Sequence, residues 1–199
     1  MLAGMVERQI GNLDIAEAQI PVLRPYILGK LVQLYLRQDN LSEAEAALAQ
    51  GRTDPNREVL PFSFQSIIIL AEAELALRRG NYERALALTH EVLANFRQFG
   101  LRAYIPEALC LRGQILGGMG QTGAARKTLL EAQAEAEAIG SHRMLWQILF
   151  ALSQLETNPP EAKHLHQQAQ EIVEFIAGNI SNAELRASFL DSAEVQKVL

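Results

Sequence analysis

One pattern recurs along this chain about every forty residues, and it restricts the fold more than any other feature. A turn-forming stretch is followed within a few residues by an alanine that opens an apolar helical run. "QDNLSEAEAAL" places Ala44, "RGNYERALAL" places Ala85, "MGQTGAARKTL" places Ala125 and "TNPPEAKHL" places Ala162, at intervals of 41, 40 and 37 residues. "IGNLDIAEAQI" offers the same pattern at Ala16, but only 28 residues before Ala44. Residues 1–22 therefore read as an incomplete first unit. A period of this length marks an array of supersecondary units, each burying its apolar face against the next.

Each unit contains two helical segments with apolar residues three and four apart, the spacing of an amphipathic helix. In the unit around Ala85 the first helix is expected over about Pro61 to Arg79, with Leu70, Ala73 and Leu77 at that spacing. The second is expected over about Tyr82 to Phe99, with Leu86, Val92, Leu93 and Phe96 on a shared side. The next unit predicts helices over about Arg102–Gly117 and Gln121–Ile139. Gly100 and Gly140 stand where a left-handed helix C-cap is wanted. Helices joined by short turns run antiparallel to their neighbours, and stacked pairs make a solenoid. The reading is a single all-α domain over 1–199, with repeat units at 23–50, 61–100, 101–140 and 141–178. "GRTDPNREVLP", Gly51 to Pro61, reads as a longer loop between units, because the repeat resumes after it.

The tail differs. "NPPEAKHLHQQAQEIVEFIAGNI" predicts one long helix opening at the prolines, which suit a first helical turn. Residues 181–199 then read as a C-terminal cap for the stack. Ser181 and Glu184 have capping-box spacing, and Leu185, Phe189 and Leu190 are placed to cover the last pair.

Composition agrees. Apolar residues make up 49% of the 199, aromatics only 6%, and alanine is abundant, which favours close helix packing over a sheet. Net charge is −5, with basic residues scattered, whereas a nucleic-acid surface needs them clustered. The one cysteine, Cys110, allows no intrachain disulfide, which suits a reducing compartment. "MLAGMVERQI" lacks a signal peptide's pattern, and no apolar run approaches the roughly 20 residues of a membrane span. The expectation is a cytoplasmic protein with neither nucleic acid nor membrane as partner.

The repeat resembles the tetratricopeptide repeat (TPR), in the form of about forty residues found in bacterial signalling and transcription regulators. Gly80-Asn81-Tyr82 with Ala85 matches that family's turn. Gly113, Gly120, Ala125 and Ala132 match its small-residue positions in the next unit, and Leu28, Leu31 and Tyr35 its first-helix pattern in the unit before. The resemblance runs from about Leu23 to Ala177. It departs from the family in the last unit, which has no turn glycine, and in the absence of a first-helix tryptophan from the core repeats. The resemblance implies a right-handed superhelical solenoid. "WQILFALSQLE" and "ELRASFLDSAEV" resemble the C-terminal end of such regions in large multidomain regulators, which implies a longer chain with an ATPase, cyclase or kinase domain upstream.

The residues of chemically versatile type read more simply as structure. "GGMGQTG", Gly117 to Gly123, holds the glycine gap of a phosphate-binding loop, but Ala124 and Ala125 follow where the loop needs Lys and Ser or Thr. His164 and His166, two apart on a helix, point to different faces and cannot share a metal, and His90 and His142 have no ligand companion at suitable spacing. Cys110 has no readable base or electropositive setting, so it is a packed or groove-lining thiol. Glu131, Glu135 and Glu137 read as a solvated face. The sequence therefore points to no enzyme, catalytic residue, metal or cofactor.

Binding remains. The resemblance implies that first helices line a concave groove holding a protein or peptide. Carried over by position, the groove side takes Tyr26, Gln33 and Arg37, then Ile67, Glu74 and Arg78, then Glu107 and Gln114, and finally Gln147 and Gln154. Lys30 is the sole basic residue at the family's carboxylate-holding places, whose counterparts here are Ala71, Leu111 and Ala151. The alternative is a sensor that holds a small effector near Cys110, Trp146 and Phe150 and signals to an upstream catalytic domain. Self-association through the incomplete first unit is a third possibility.

Overall fold

The computed structural model describes residues 23–59 and 61–199, so the expectations for residues 1–22, with Ala16 and self-association through them, lie outside the described residues. The described residues form ten α-helices and two 3-10 turns, with no strand among them. The helices are α1 (Arg24–Arg37), α2 (Leu41–Thr53), α3 (Phe62–Arg78), α4 (Tyr82–Gln98), α5 (Ile105–Gly118) and α6 (Thr122–Ala138). They continue as α7 (His142–Leu155), α8 (Pro159–Asn179), α9 (Ala183–Leu190) and α10 (Ala193–Gln196). Among the described residues no helix is long and apolar enough to cross a membrane. The chain divides into two compact units, one ending at Val92 and one running from Leu93 to Leu199.

Five turns share one geometry. Asp39, Gly80, Gly100, Gly120 and Gly140 all have φ between 58° and 75°. Beyond each, the next residue donates its N–H to the carbonyl five back: Asn40 to Tyr35, Asn81 to Ala76, Leu101 to Phe96, Gln121 to Leu116 and Ser141 to Ala136, at 2.8–2.9 Å. The left-handed residue itself donates to the carbonyl three back. This double closure is the Schellman motif, which satisfies the last carbonyls of a helix. Asn40 and Asn81 then cap the helices that follow, accepting from the N–H of Glu43 and Arg84.

In the first unit, α1 packs on α2 and α3, and α2 on α3. Leu28, Leu31, Val32, Leu36, Ala44, Ala47, Leu48, Ile68, Ala71 and Leu75 form one core cluster. The expected loop at Gly51 begins later than the sequence suggests. Gly51 to Thr53 belong to α2, and the bare backbone of Gly51 packs close to α1, since a Cβ there would sit 3.3 Å from Leu28 Cβ. Asp54 ends the helix. Its buried carboxylate accepts from Arg24 at 2.9 Å and from the Asn56 N–H at 2.8 Å, pinning the Pro55–Val59 turn to α1.

In the second unit, α5 packs on α6 and α7, α6 on α7, and α7 on α8. The turn alanines Ala85 and Ala125 are fully buried, as is Ala132, while Ala162 is half-buried. The opening of α5 differs from expectation: Arg102–Tyr104 is a 3-10 turn, with Tyr104 stacked on Phe96 at 5.5 Å, and the α-helix starts at Ile105. Buried hydroxyls of Ser66, Thr89 and Ser153 each donate to the carbonyl three residues back and so need no other partner.

The turn between α7 and α8 is held by Glu156. Its Oε1 accepts the backbone N–H groups of Thr157 and Asn158 at 2.9 and 3.0 Å, and its Oε2 lies 3.0 Å from the Arg126 guanidinium on α6. The Asn158 N–H first, then Arg126 and the Thr157 N–H, hold this carboxyl below its ordinary range against some desolvation.

The C-terminal cap is built differently from the sequence reading. The N-cap of α9 is Asn182, which accepts from the Leu185 N–H at 3.0 Å, rather than the expected Ser181. The longer Asx side chain one residue nearer the helix has taken the capping position. Leu185, expected to cover the last pair, is 57% exposed. Phe189 and Leu190 do pack on the last pair, but the buried anchors are Val195 and Val198, clustered with Trp146, Leu149, Ala169 and Val173.

Candidate functional site

In the first unit the groove candidates gather where α1 meets α3. The Tyr26 ring meets Phe64 of α3 edge-on, with centroids 5.2 Å apart. Lys30 Nζ lies 5.8 Å from the Tyr26 ring centroid and donates to Gln33 Oε1 at 3.2 Å. Tyr26 and Gln33 are half-buried and Arg37 is exposed. Arg78 is partly exposed, 3.8 Å from Asp39 and 3.9 Å from Glu74, distances that leave its guanidinium loosely held. Ile67 departs from expectation. It is 3% exposed, and a Cβ at Gly29 would lie 3.0 Å from its Cγ2, so it packs on α1 rather than facing a groove.

In the second unit Glu107 of α5 pairs with Arg143 of α7 at 3.0 Å. Gln114, exposed, reaches the buried Cys110 Sγ at 3.9 Å. Gln147 is half-buried and Gln154 exposed on α7. Phe64 and Arg143 were not among the sequence candidates. Only the contact between successive first helices brings them to Tyr26 and Glu107.

The turn candidates are structural. Gly80 and Gly120 hold the positive φ, and Tyr82 is half-buried beside its turn. Gly113 marks a close helix approach, since a Cβ there would stand 2.5 Å from Leu129 Cγ.

Of the residues proposed for a small-effector pocket, Trp146 belongs to the core, Phe150 meets the His166 ring edge-on at 5.5 Å, and Cys110 is 3% exposed. Burial, with Glu107 and Glu194 adding, pushes the Cys110 thiol up to about 12, the opposite of a nucleophile's setting. Among the described residues no group of three or more His, Cys, Asp or Glu is placed to hold a metal.

An open concavity lies between the end of α7 and one face of α8. Its volume is about 660 Å³, and it is lined by Ser153 and Gln154 from α7 and, among others, Lys163, His166, Gln170 and Glu174 from α8. Gln154 is the one sequence candidate that reaches it. Its other walls went unread because His166 and the glutamines look like ordinary solvated helix positions until α7 and the C-terminal residues are set against them. At one edge, His166 Nε2 and Gln170 Nε2 both donate to the Val198 carbonyl, at 2.8 and 2.7 Å. The carbonyl can only accept, so the His166 proton sits on Nε2. No protein-family model matches the chain, and a search of curated proteins finds no match.

Proposed function

We propose that the chain is a non-catalytic protein–protein interaction module of the tetratricopeptide type. In this reading its helix pairs continue as a right-handed solenoid, and a peptide or protein partner lies along the first helices. The module serves as the C-terminal part of a larger bacterial regulator in the cytoplasm. The observation that carries the reading is the recurrence of one Schellman turn at Asp39, Gly80, Gly100, Gly120 and Gly140, with first helices touching in each unit, α1 on α3 and α5 on α7. Pairs stacked in this way present an inner surface within each unit. Polar and aromatic side chains there, Tyr26, Gln33 and Arg78 in the first unit and Gln114 and Gln147 in the second, are the expected contacts, and binding of an extended peptide needs little rearrangement of such a scaffold.

A peptide-display selection against the chain tests this. Enriched peptides should lose about tenfold in affinity, roughly 1.4 kcal/mol, on substitution of Arg78, Gln114 or Gln147 by Ala without loss of Tm. A selection that enriches nothing, or peptides indifferent to all of these substitutions, counts against the reading.

A second reading, a sensor for a small effector, draws on the cavity of about 660 Å³ beside α8. A small-molecule thermal-shift screen separates the two, since a ligand held well below its working concentration raises Tm.

A further inference from the structure

We infer that the cavity face of α8 is a binding site for an extended peptide segment carrying an acidic and a basic side chain about five residues apart. The inference goes beyond the first-helix groove: it adds a peptide-binding face on α8, the second helix of its pair. Lys163, His166, Gln167, Gln170, Glu171 and Glu174 fall three and four apart, so they make one polar stripe along the helix, and all of them line the cavity.

That stripe already holds a peptide backbone. His166 and Gln170, one turn apart, converge on the Val198 carbonyl, and Gln170 Nε2 also lies 3.4 Å from the Leu199 carbonyl. Side-chain donors at helical spacing thus hold main-chain oxygens of the C-terminal segment, while the Val198 side chain is buried in the core. The groups on the cavity side of this contact are left for a second segment. Gln170 spends its amide N–H on the tail and keeps Oε1 as an acceptor. Gln167 donates to Glu171 at 3.2 Å and keeps its own Oε1. Among the described residues Gln154 has no hydrogen-bond partner and Lys163 has neither hydrogen-bond nor ion partner, so a full amide and an ammonium face the cavity at its α7 end. An extended chain offers the alternating N–H and C=O groups that such amides match.

Charge sets the register. Lys163 stands at one end of the stripe, Glu171 and Glu174 at the other. Eleven residues of helix separate Lys163 from Glu174, about 16 Å along the axis. An extended strand covers about 3.3 Å per residue, so an acidic side chain at Lys163 and a basic one at Glu174 stand about five positions apart on the ligand. Uncharged segments, or segments with two charges of one sign, leave one end of the stripe unpaired.

The test uses the full chain, ¹⁵N-labelled, titrated with the synthetic peptide Glu-Thr-Val-Thr-Val-Lys and with its Gln-Thr-Val-Thr-Val-Gln counterpart. The expected result is a shift of the side-chain amide resonances of Gln154, Gln167 and Gln170 by the charged peptide alone. Lys163→Glu and Glu174→Lys, both at exposed positions, should each weaken that binding about tenfold. Equal binding of the two peptides, or affinity unchanged by both reversals, overturns the inference. Shifts confined to Tyr26, Gln33, Gln114 or Gln147 overturn this site while leaving the broader peptide-binding reading in place. No shift anywhere overturns the site, and the display selection then decides the broader reading separately.

Discussion

Leu129 occupies the space that a side chain at Gly113 would need: a Cβ built there lies 2.5 Å from Leu129 Cγ and 2.7 Å from Cδ2. Leu129 is itself fully buried, so it has nowhere to retreat. Gly113→Ala gains helix propensity of about 1 kcal/mol but overpacks the α5–α6 contact at about 1–3 kcal/mol. The expected net result is a loss of about 1 kcal/mol, read as a lower urea midpoint. The cost should vanish in a Leu129→Ala background, which removes the obstructing branch. A double-mutant cycle with no coupling would show that the close approach is not what excludes a side chain there.

The five Schellman turns give a second prediction. Gly80 and Gly120 hold φ of 72° and 75°, where an L side chain is strained, so Gly80→Ala should cost about 1 kcal/mol. Asp39 holds φ of 58° with a Cβ in place, and its ion pair with Arg78 is long and exposed. Asp39→Gly should therefore stabilise the chain, by about 0.5 kcal/mol once the added freedom of the unfolded chain is subtracted. Gly123, with a helical backbone and open space around it, is the control: Gly123→Ala should be neutral or stabilising by up to about 1 kcal/mol. Thermal unfolding of the three variants orders them, and an equal effect at positions 80 and 123 would sink the argument.

What the sequence made legible follows from which constraints are local. A positive φ after a helix nearly demands glycine, so Gly80, Gly100, Gly120 and Gly140 announce their turns; the Asp39 turn is marked by the polar "QDN" stretch instead, its Asp holding the left-handed region at a cost. The buried alanines 85, 125 and 132 repeat in register and could be read. Ile67 could not, since Ser66-Ile67-Ile68-Ile69-Leu70 is buried on every side and its period fails to say which face meets α1. Val195 and Val198 anchor the C-terminus from a helix of four residues, too short to show periodicity. The cavity beside α8 is built of polar residues whose meaning depends on what packs across from them, and no spacing rule encodes that.

Cys110 supplies a third prediction. Its folded-state pKa of about 12 lies above the unfolded value near 9, so the folded chain keeps a proton that the unfolded chain gives up. Stability should therefore fall as pH rises from about 9 towards 12, by up to about 1.4 kcal/mol per pH unit. Chemical denaturation across this range should show the slope in the parent chain and a reduced slope in Cys110→Ala. In native buffer, alkylation of the thiol should wait on opening of the α5–α7 packing and accelerate on adding denaturant. Rapid alkylation of the folded chain would contradict its burial.

Glu156 gives a pH dependence of opposite sense. Its carboxyl is held below the ordinary Glu value by the Asn158 N–H first, with Arg126 and the Thr157 N–H adding. A depressed folded-state pKa means that the ionised form is the one the fold prefers. Its contribution is therefore complete above the unfolded pKa near 4.3 and is lost as pH falls through the folded value. Glu156→Gln keeps the shape and an acceptor for the two N–H groups but removes the charge that faces Arg126. The variant should melt below the parent at pH 7, and the gap should close as pH drops from about 5 towards 2. Arg126→Gln should reproduce part of the loss at pH 7, and adding it to Glu156→Gln should cost less than the sum of the two. A gap that persists unchanged at low pH would mean that Glu156 holds the α7–α8 turn through shape alone, not through its charge.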